Sequence, residues 1–223
     1  MRIFLTFVHQ KHTEMGKLAS ENDCLSLPVA EEFYSVQGEG CNTGRAAYFI
    51  RLAGCDVRCT FCDSKATWNV NHYKNLSPVA EIAARAAASQ CRNVVITGGE
   101  PLMHNLDALC AALKEHGLSI WLETSGAHPL SGSFDWICVS PKNQKPPLDE
   151  VLQKADELKA VIADADDFAF AEQCAKKTRQ GCSLMLQAEW DSREAAYPLI
   201  FNYVLKNPAW RISIQTHKIL NIR

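Results

Sequence analysis

The stretch AAYFIRLAGCDVRCTFC, residues 46–62, decides the fold of this chain. Its first seven residues are an apolar run typical of a buried strand, and the glycines at 38, 40 and 44 are turn signals before it. Three cysteines follow within eight residues of one another. The sequence therefore predicts a buried strand that leads into a loop rich in thiols.

Further strand patterns alternate with helical patterns along the rest of the chain. A β-branched run at 93–97 ends at two glycines, and residues 106–116 repeat apolar side chains at helical spacing. Ser77 and Pro78 carry the signals of a helix start, with Ser77 as N-cap of a helix over 80–89. The other predicted elements are strands at 119–123, 136–139, 157–162, 183–187 and 211–215 and a helix at 166–177.

This alternation predicts an α/β fold with a parallel sheet. A complete eight-unit barrel usually takes about 250 residues. The chain has 223. We therefore expect an incomplete, TIM-like barrel of about six mostly parallel strands. Residues 28–223 form the predicted domain, and residues 1–27 form an N-terminal extension that need not be ordered and has no assigned role.

Charge and hydropathy limit the class of partner. The chain has 23 Lys and Arg against 25 Asp and Glu, a formal net charge of -2, so it lacks the broad basic surface that binds nucleic acid. The apolar run at 3–8 is much shorter than a membrane span or the core of a signal peptide. We expect a cytoplasmic protein with no nucleic-acid or membrane partner.

Three of the ten cysteines, Cys55, Cys59 and Cys62, share one loop and can face one metal centre. Structural zinc usually takes four protein ligands in two pairs, and no second pair follows at a suitable spacing. A four-iron cluster held by three thiolates leaves one iron open to another ligand. The spacing favours the iron–sulfur cluster, while a zinc-binding module and a non-enzymatic iron–sulfur carrier stay open. The other seven cysteines are interpreted as ordinary thiols.

Polar residues stand at the carboxyl ends of other predicted strands. Thr97-Gly98-Gly99-Glu100 follows one strand, Ser140-Pro141-Lys142 follows another, and Gln187 ends a third. In barrel enzymes the loops at this end build the active site. A plain turn would explain each segment alone. Together with the cysteine loop, they predict one rim on which several polar groups converge.

The spacing Cys-x3-Cys-x2-Cys, with Phe61 before the last cysteine, resembles the signature of the radical S-adenosylmethionine (SAM) superfamily. Gly-Gly-Glu-Pro at 98–101 resembles the second motif of that superfamily. The resemblance implies a 4Fe-4S cluster on the three cysteines and SAM at its open iron. The SAM-binding residues that it implies are Phe61, Cys62, Asp63, Gly99, Glu100, Ser140, Pro141, Lys142 and Gln187.

Other segments narrow the resemblance. They are Gln37-Gly38-Glu39-Gly40, Arg51, Cys62-Asp63-Ser64-Lys65 with Trp68, and Gln215-Thr216-His217-Lys218. Over about residues 28–223 the chain resembles the 7-carboxy-7-deazaguanine synthase family. The resemblance implies a lyase of queuosine (7-deazapurine) biosynthesis, a tRNA modification pathway. Such an enzyme converts 6-carboxy-5,6,7,8-tetrahydropterin to 7-carboxy-7-deazaguanine with loss of ammonia, assisted by Mg²⁺, and the SAM-derived radical takes a hydrogen from C6.

The same resemblance assigns the substrate and magnesium residues. A pterin ring carries many donors and acceptors, which a site with matching polar groups can select. Ser64 is the implied Mg²⁺ ligand, where the family commonly has Thr, and Asp63 is open between SAM and Mg²⁺. No catalytic residue is expected beyond the SAM-derived radical. The implied substrate-binding residues are Val36, Gln37, Gly38, Glu39, Arg51, Thr97, His217 and Arg223.

Two of these substrate residues need comment. Arg51 offers a planar fork that suits the substrate carboxylate, although an ion pair beside the strand is an equally open interpretation. Arg223 is expected to present its terminal carboxylate to the pterin. The implied partners are the small-molecule substrate, an electron donor such as flavodoxin and a second copy in a homodimer. Another radical SAM reaction, such as activation of a glycyl-radical enzyme, is the alternative, and Lys218 stays unassigned.

Overall fold

The structure is a computed structural model that describes residues 25–73 and 76–222. Its strands are β1 (Ser26–Leu27), β2 (Val29–Val36), β3 (Ala46–Leu52), β4 (Ser77–Pro78), β5 (Asn93–Gly98), β6 (Ser119–Thr124), β7 (Trp136–Val139), β8 (Glu157–Ile162), β9 (Ser183–Ala188) and β10 (Trp210–Ser213). Its α-helices are α1 (Val79–Ala87), α2 (Asp107–Glu115), α3 (Asp149–Leu152), α4 (Asp167–Ala175), α5 (Arg193–Lys206) and α6 (Thr216–Leu220).

Eight of these strands form one sheet in the order β10-β9-β8-β7-β6-β5-β3-β2. Every neighbouring pair is parallel except β2 and β3, which are antiparallel. The predicted α/β class and the mostly parallel partial barrel are confirmed. Within the described residues the sheet has eight strands, where about six were expected. Edge strand β2 was missed because its sequence VAEEFYSV is largely half-buried and lacks a continuous apolar run.

Alternating side chains divide the sheet into two faces. On the outer face, side chains such as Ile50 and Ile96 pack against Ile82 of α1 and Leu109 of α2, and all four are fully buried. The inner face has a smaller apolar group around Phe49 and Val95. Arg51, Thr97 and Glu123 follow on that same face, since each lies two residues beyond an inner-face residue of its strand.

The loop after β2 spans the gap between the two edge strands of the sheet. Thr216 N donates to Gly38 O at 2.9 Å, and Gly40 N donates to Ser213 Oγ at 2.9 Å. Gln215 Nε2 donates to Glu39 Oε1 at 2.7 Å. The loop thereby encloses the inner face of an open sheet and leaves a cavity there.

Two local predictions need correction. Helix α1 begins at Val79, and its N-cap Pro78 makes no side-chain capping bond. Ser77 and Pro78 instead pair with Ser26 and Leu27 as strands β4 and β1, so the predicted Ser77 cap is wrong. The predicted boundary at residue 27 passes through this pairing. The rest of the extension, residues 1–24, lies outside the described residues, and the domain division stays a prediction.

The described helices are too short or too polar to span a bilayer. None of those within residues 25–73 and 76–222 combines the length and the apolar character that a crossing requires.

Candidate active site

A cavity of about 310 Å³ lies on the inner face of the sheet, within the size range of small-molecule sites. Residues from both ends of the chain line it, which brings most of the predicted site together. Pro141 is buried but does not line the cavity, and Arg223 lies outside the described residues. The predicted residues that line it are Val36, Gln37, Gly38, Glu39, Arg51, Cys55, Cys59, Phe61, Cys62, Asp63, Ser64, Thr97, Gly99, Glu100, Ser140, Lys142, Gln187 and His217.

Backbone contacts fix the start of the cysteine loop, residues 55–62, beside the loop after β5 and beside Trp68. Glu100 N donates to Gly54 O at 2.8 Å, and Cys55 N donates to Trp68 O at 3.2 Å. A Cβ on Gly99 would lie 2.3 Å from Gly54 O and 2.8 Å from Cys55 Cβ, both closer than packing allows. Glycine at 99 is therefore required for the two loops to approach each other.

The three thiols pack in one group. Cys55 and Cys59 are buried with Val57, and Cys62 and Trp68 pack against them. Burial raises the pKa of Cys59, and its neighbouring cysteines raise it further, while Lys142 opposes them. Because metal binds the thiolate, loading this site releases protons.

The donor set fits an iron–sulfur cluster better than a single ion. Within the described residues, no three His, Cys, Asp or Glu side chains lie close enough together to hold one metal ion. Thiolates are the usual ligands of iron–sulfur clusters, and Cys55, Cys59 and Cys62 would hold a four-iron cluster that supplies an open iron for SAM. Trp68 Nε1 is a buried donor with no partner among the described groups, and it packs beside these thiols, as a sulfur acceptor would require.

Glu100 links the loop after β5 to the end of β6 through hydrogen bonds. Its Oε1 accepts from Leu102 N at 3.0 Å and from Thr124 Oγ1 at 2.5 Å. Its Oε2 accepts from Ser125 N at 2.8 Å and Ser125 Oγ at 2.5 Å. Glu100 is only 1% exposed, so its contacts within the chain account for its place in the motif. Its predicted contact with SAM stays a prediction.

The loop after β7 brings a cation to the cavity. Lys142 Nζ donates to Ser140 O at 2.7 Å and to Ser140 Oγ at 2.6 Å. Burial lowers the pKa of Lys142, although the nearby Cys59 opposes the shift. Gln187 is buried on the same wall and accepts from Ser213 Oγ at 2.8 Å. Both residues thus have partners that fix their orientation.

A charged group forms the floor of the cavity. Lys159 Nζ lies 2.9 Å from Glu39 Oε2 and 3.0 Å from Glu123 Oε2. Gln37 Nε2 donates to Glu123 Oε1 at 3.0 Å, and Gln215 Nε2 donates to Glu39 Oε1 at 2.7 Å. We call Glu39, Glu123 and Lys159 the floor triad. It joins the loop after β2 to strands β6 and β8.

Burial and charge act against each other in the floor triad. Burial alone would raise the pKa of Glu39, but Lys159 and hydrogen bonds lower it to about 2. Burial raises the pKa of Glu123, with Lys159 opposing. Burial would lower the pKa of Lys159, but the surrounding acidic groups hold it well above its ordinary value. The triad is therefore built around a charged lysine.

Sequence reasoning missed Glu123 and Lys159. Each is a charged residue at an inner-face position of a strand with an apolar run, SIWLET in β6 and ELKAVI in β8, where Glu157 is a second charged residue. A charge inside such a run is rarely buried without a partner. That pattern was the signal available in the sequence.

Arg51 and Ser64 lie side by side in the wall of the cavity. Arg51 Nε pairs with Glu31 Oε1 at 2.7 Å, so the ion pair left open by the sequence is present. Arg51 NH1 donates to Ser64 Oγ at 3.3 Å, and Ser64 Oγ donates to Asp63 Oδ1 at 3.1 Å. Lys218 Nζ lies 3.3 Å from Asp63 Oδ2, which places this unassigned lysine at the cavity.

His217 faces the loop after β2. A Cβ on Gly38 would lie 2.2 Å from His217 Nδ1, so glycine at 38 makes room for the imidazole. The ring lines the cavity together with Thr97 from β5. Two predicted substrate residues from distant parts of the sequence thus share one space.

Comparison with known proteins fits this geometry. The family model of the radical SAM superfamily matches residues 49–132, from β3 past the cysteine loop and β6. The chain is a radical SAM enzyme whose cofactors are a 4Fe-4S cluster and SAM, as predicted. Its Mg²⁺ site and the individual site residues stay predictions.

Relatives that match nearly the whole chain identify the family. A 7-carboxy-7-deazaguanine synthase from Synechocystis sp. is 50% identical over 209 residues, which cover 94% of this chain and 99% of that one. One from Flavobacterium psychrophilum is 46% identical over 196 residues, 88% and 92% of the two chains. The crystal structure of QueE from Escherichia coli has a TM-score of 0.72 at 32% identity and covers 86% of this chain and 95% of its own. This chain belongs to the 7-carboxy-7-deazaguanine synthase family.

Proposed function

We propose that this enzyme converts 6-carboxy-5,6,7,8-tetrahydropterin to 7-carboxy-7-deazaguanine with loss of ammonia, in queuosine biosynthesis. The observation that carries the proposal is a single cavity that joins three thiols to a polar floor. The thiols suit a cluster with SAM, and the polar floor suits a flat, polar ring. Membership of the family supplies the particular reaction.

Different residues of the cavity bind the cluster, SAM and the substrate. Cys55, Cys59 and Cys62 hold the cluster, and Lys142 and Gln187 bind and orient SAM. When bound, the cluster and SAM supply the radical chemistry. The chain itself binds and orients the substrate. Gln37, Glu39, Thr97 and His217 pair with the pterin edges, and Arg51 pairs with its carboxylate.

The cavity wall also supports a magnesium role for Ser64. Its hydroxyl is a hard oxygen donor of the kind Mg²⁺ takes, and Asp63 is close enough to supply a second one. Arg51 donates to the same hydroxyl and would have to share or release it when the ion binds. We expect Ser64→Ala to weaken the dependence of turnover on Mg²⁺ and Ser64→Thr to keep it. Equal Mg²⁺ dependence in Ser64→Ala would contradict the assignment.

The test of the reaction is anaerobic reconstitution followed by incubation with SAM, a strong reductant and the carboxylated pterin. We expect 7-carboxy-7-deazaguanine and ammonia in equal amounts, measured by mass spectrometry and an ammonia assay. Cys59→Ala is the negative control. SAM cleavage without any deazaguanine product would contradict the proposed substrate and favour another radical SAM reaction.

We also propose a homodimer in the cytoplasm that takes electrons from a donor such as flavodoxin. Nine cysteines in the described part of the chain are free, as a reducing compartment favours. Phe201 and Leu205 on α5 and Ile219 on α6 are more than half exposed and offer apolar surface to a second copy. Analytical ultracentrifugation tests the dimer, cell fractionation tests the compartment, and turnover with reduced flavodoxin in place of dithionite tests the donor.

A further inference from the structure

The floor triad places one buried cation between two carboxylates from different parts of the chain. Lys159 is 4% exposed at its side chain, and Glu39 and Glu123 are 20% and 21% exposed. Lys159 contacts one oxygen of each carboxylate, and a glutamine amide contacts the other. These donors to the two carboxylates are all side chains of the protein, and the carboxylates themselves line the cavity.

We propose that Lys159 is a positioning residue that keeps Glu39 and Glu123 ionised, so that the cavity floor is an acceptor surface and selects a ring edge that presents N–H donors. The charge state of the floor is a property of the protein alone. Only the selection of the pterin rests on the proposed function.

The physical reason lies in how buried carboxylates behave without a cation. Two carboxylates that share a low-dielectric site repel, and one of them takes up a proton. A protonated carboxyl group becomes a hydrogen-bond donor. A donor that faces a donor leaves both unpaired, and sites built on matched hydrogen bonds reject such mismatches strongly. Lys159 prevents this outcome by neutralising one charge of the pair.

Three other titratable groups lie around Lys159. Glu157 lies two residues before it on β8, Cys138 is on β7 opposite Glu157, and Lys142 is a second cation in reach. Burial keeps Cys138 protonated, since its pKa is raised well above the ordinary value. Glu157 Oε2 accepts from Cys41 N at 3.0 Å and from Trp136 Nε1 at 3.3 Å, while its Oε1 is buried with no hydrogen-bond partner among the described residues, so neither oxygen contacts Lys159. Lys159 is therefore the cation that Glu39 and Glu123 share.

The first experiment needs no substrate. Infrared spectra of the wild-type protein and Lys159→Met are recorded between pH 6 and 8, and the C=O band of a protonated carboxyl group is assigned by adding Glu123→Gln or Glu39→Gln. We expect no such band from these residues in the wild type and a band in Lys159→Met. A protonated Glu39 or Glu123 in the wild type would overturn the inference, even if Lys159→Met fails to fold. So would the absence of the band in a folded Lys159→Met.

The second experiment measures binding of the carboxylated pterin and of SAM to the cluster-loaded enzyme across pH 6 to 9. We expect the Kd of the pterin to rise roughly 100-fold in Lys159→Met at pH 6 and to recover as pH rises, since the freed carboxyl group then loses its proton. The Kd of SAM should stay unchanged. Lys177→Met is the matched control, because Lys177 pairs with Asp149 at 2.8 Å on the exposed surface.

The outcomes distinguish a failure of the inference about Lys159 from a failure of the proposed function. If the wild type does not bind the pterin but the infrared result holds, the proposed substrate is wrong and the ionised floor stands. If the wild type turns over the pterin while Lys159→Met binds it with an unchanged Kd and pH profile, the inference is wrong and the proposed function stands.

Discussion

The cysteine loop and the floor triad line one cavity and are built in different ways. The loop is eight consecutive residues, 55–62, and Gly54, just before it, accepts from Glu100 N in the loop after β5. The triad joins three side chains that are far apart in sequence and meet only when the sheet forms. The first depends on spacing and close backbone approach, and the second depends on burial of charge. Substitutions should therefore affect them differently.

The largest effect is expected at the cysteine loop. Cys59→Ala removes one of three thiolates, and a cluster bound through only two should be lost together with SAM cleavage. Iron and sulfide content after anaerobic reconstitution measure this directly. Cys182→Ala, which changes a thiol that does not line the cavity, is the control and should keep full content. Full cluster content in Cys59→Ala would contradict the assignment of the loop.

A smaller but still large effect is expected from Gly99→Ala. The added methyl group would meet Gly54 O at 2.3 Å, so the backbone that leads into the cysteine loop must move. We expect a severalfold loss of cluster content with the sheet intact by circular dichroism. Gly44→Ala is the control because a Cβ at residue 44 would have no atom within 4 Å, although the positive φ there adds some strain. Equal cluster content in both variants would show that the close approach is not needed.

The same contrast explains what the sequence could predict. The cysteine spacing, the glycines at 98 and 99 and the strand before them are local, so pattern and turn chemistry suffice to recognise them. The predicted strands were found because each has an apolar run whose side chains on one face pack into the main core. Strand β2 was missed because it lies at an edge and is half-buried.

The floor triad could not be predicted because its members have no common local pattern. Glu39 was quoted as part of a motif, but nothing near it in sequence indicates Lys159 as its partner. That pairing depends on the register of β6, β7 and β8 and on the path of the loop after β2. The register of strands that are distant in sequence is fixed by the packed core. Reasoning from one sequence can therefore identify such residues but not the contacts between them.

An intermediate effect, on the unfolding free energy, is expected when the pH is lowered until Glu39 of the floor triad takes up a proton. The pKa of Glu39 is about 2 in the folded protein against an ordinary 4.5, so its ionised form stabilises the fold above pH 4.5 and the contribution is lost as pH falls toward 2. The lost contribution is up to roughly 3 kcal/mol in unfolding free energy. Urea unfolding of the cluster-free protein should therefore show the stability gap between wild type and Glu39→Gln closing from pH 5 to pH 3. A gap that stays constant would mean that Glu39 is not held in its ionised form by the triad.

The smallest effect is expected from a second lysine–carboxylate contact, at the surface of the cysteine loop. Lys145 Nζ contacts Asp56 Oδ2, and His128 Nε2 lies 3.0 Å from the same oxygen. Lys145 and Asp56 are 34% and 38% exposed, so water screens the pair, whereas Lys159 is nearly inaccessible. We expect Lys145→Met to lower the unfolding free energy by less than about 1 kcal/mol, with the difference reduced in high salt, and to leave the cluster content unchanged. Lys159→Met should cost about 3 to 5 kcal/mol, because it leaves two carboxylates that are only about one fifth exposed without their cation. Urea unfolding of both variants at low and high salt measures the two values side by side. Equal losses in the two variants would mean that burial is not what distinguishes the floor from the loop.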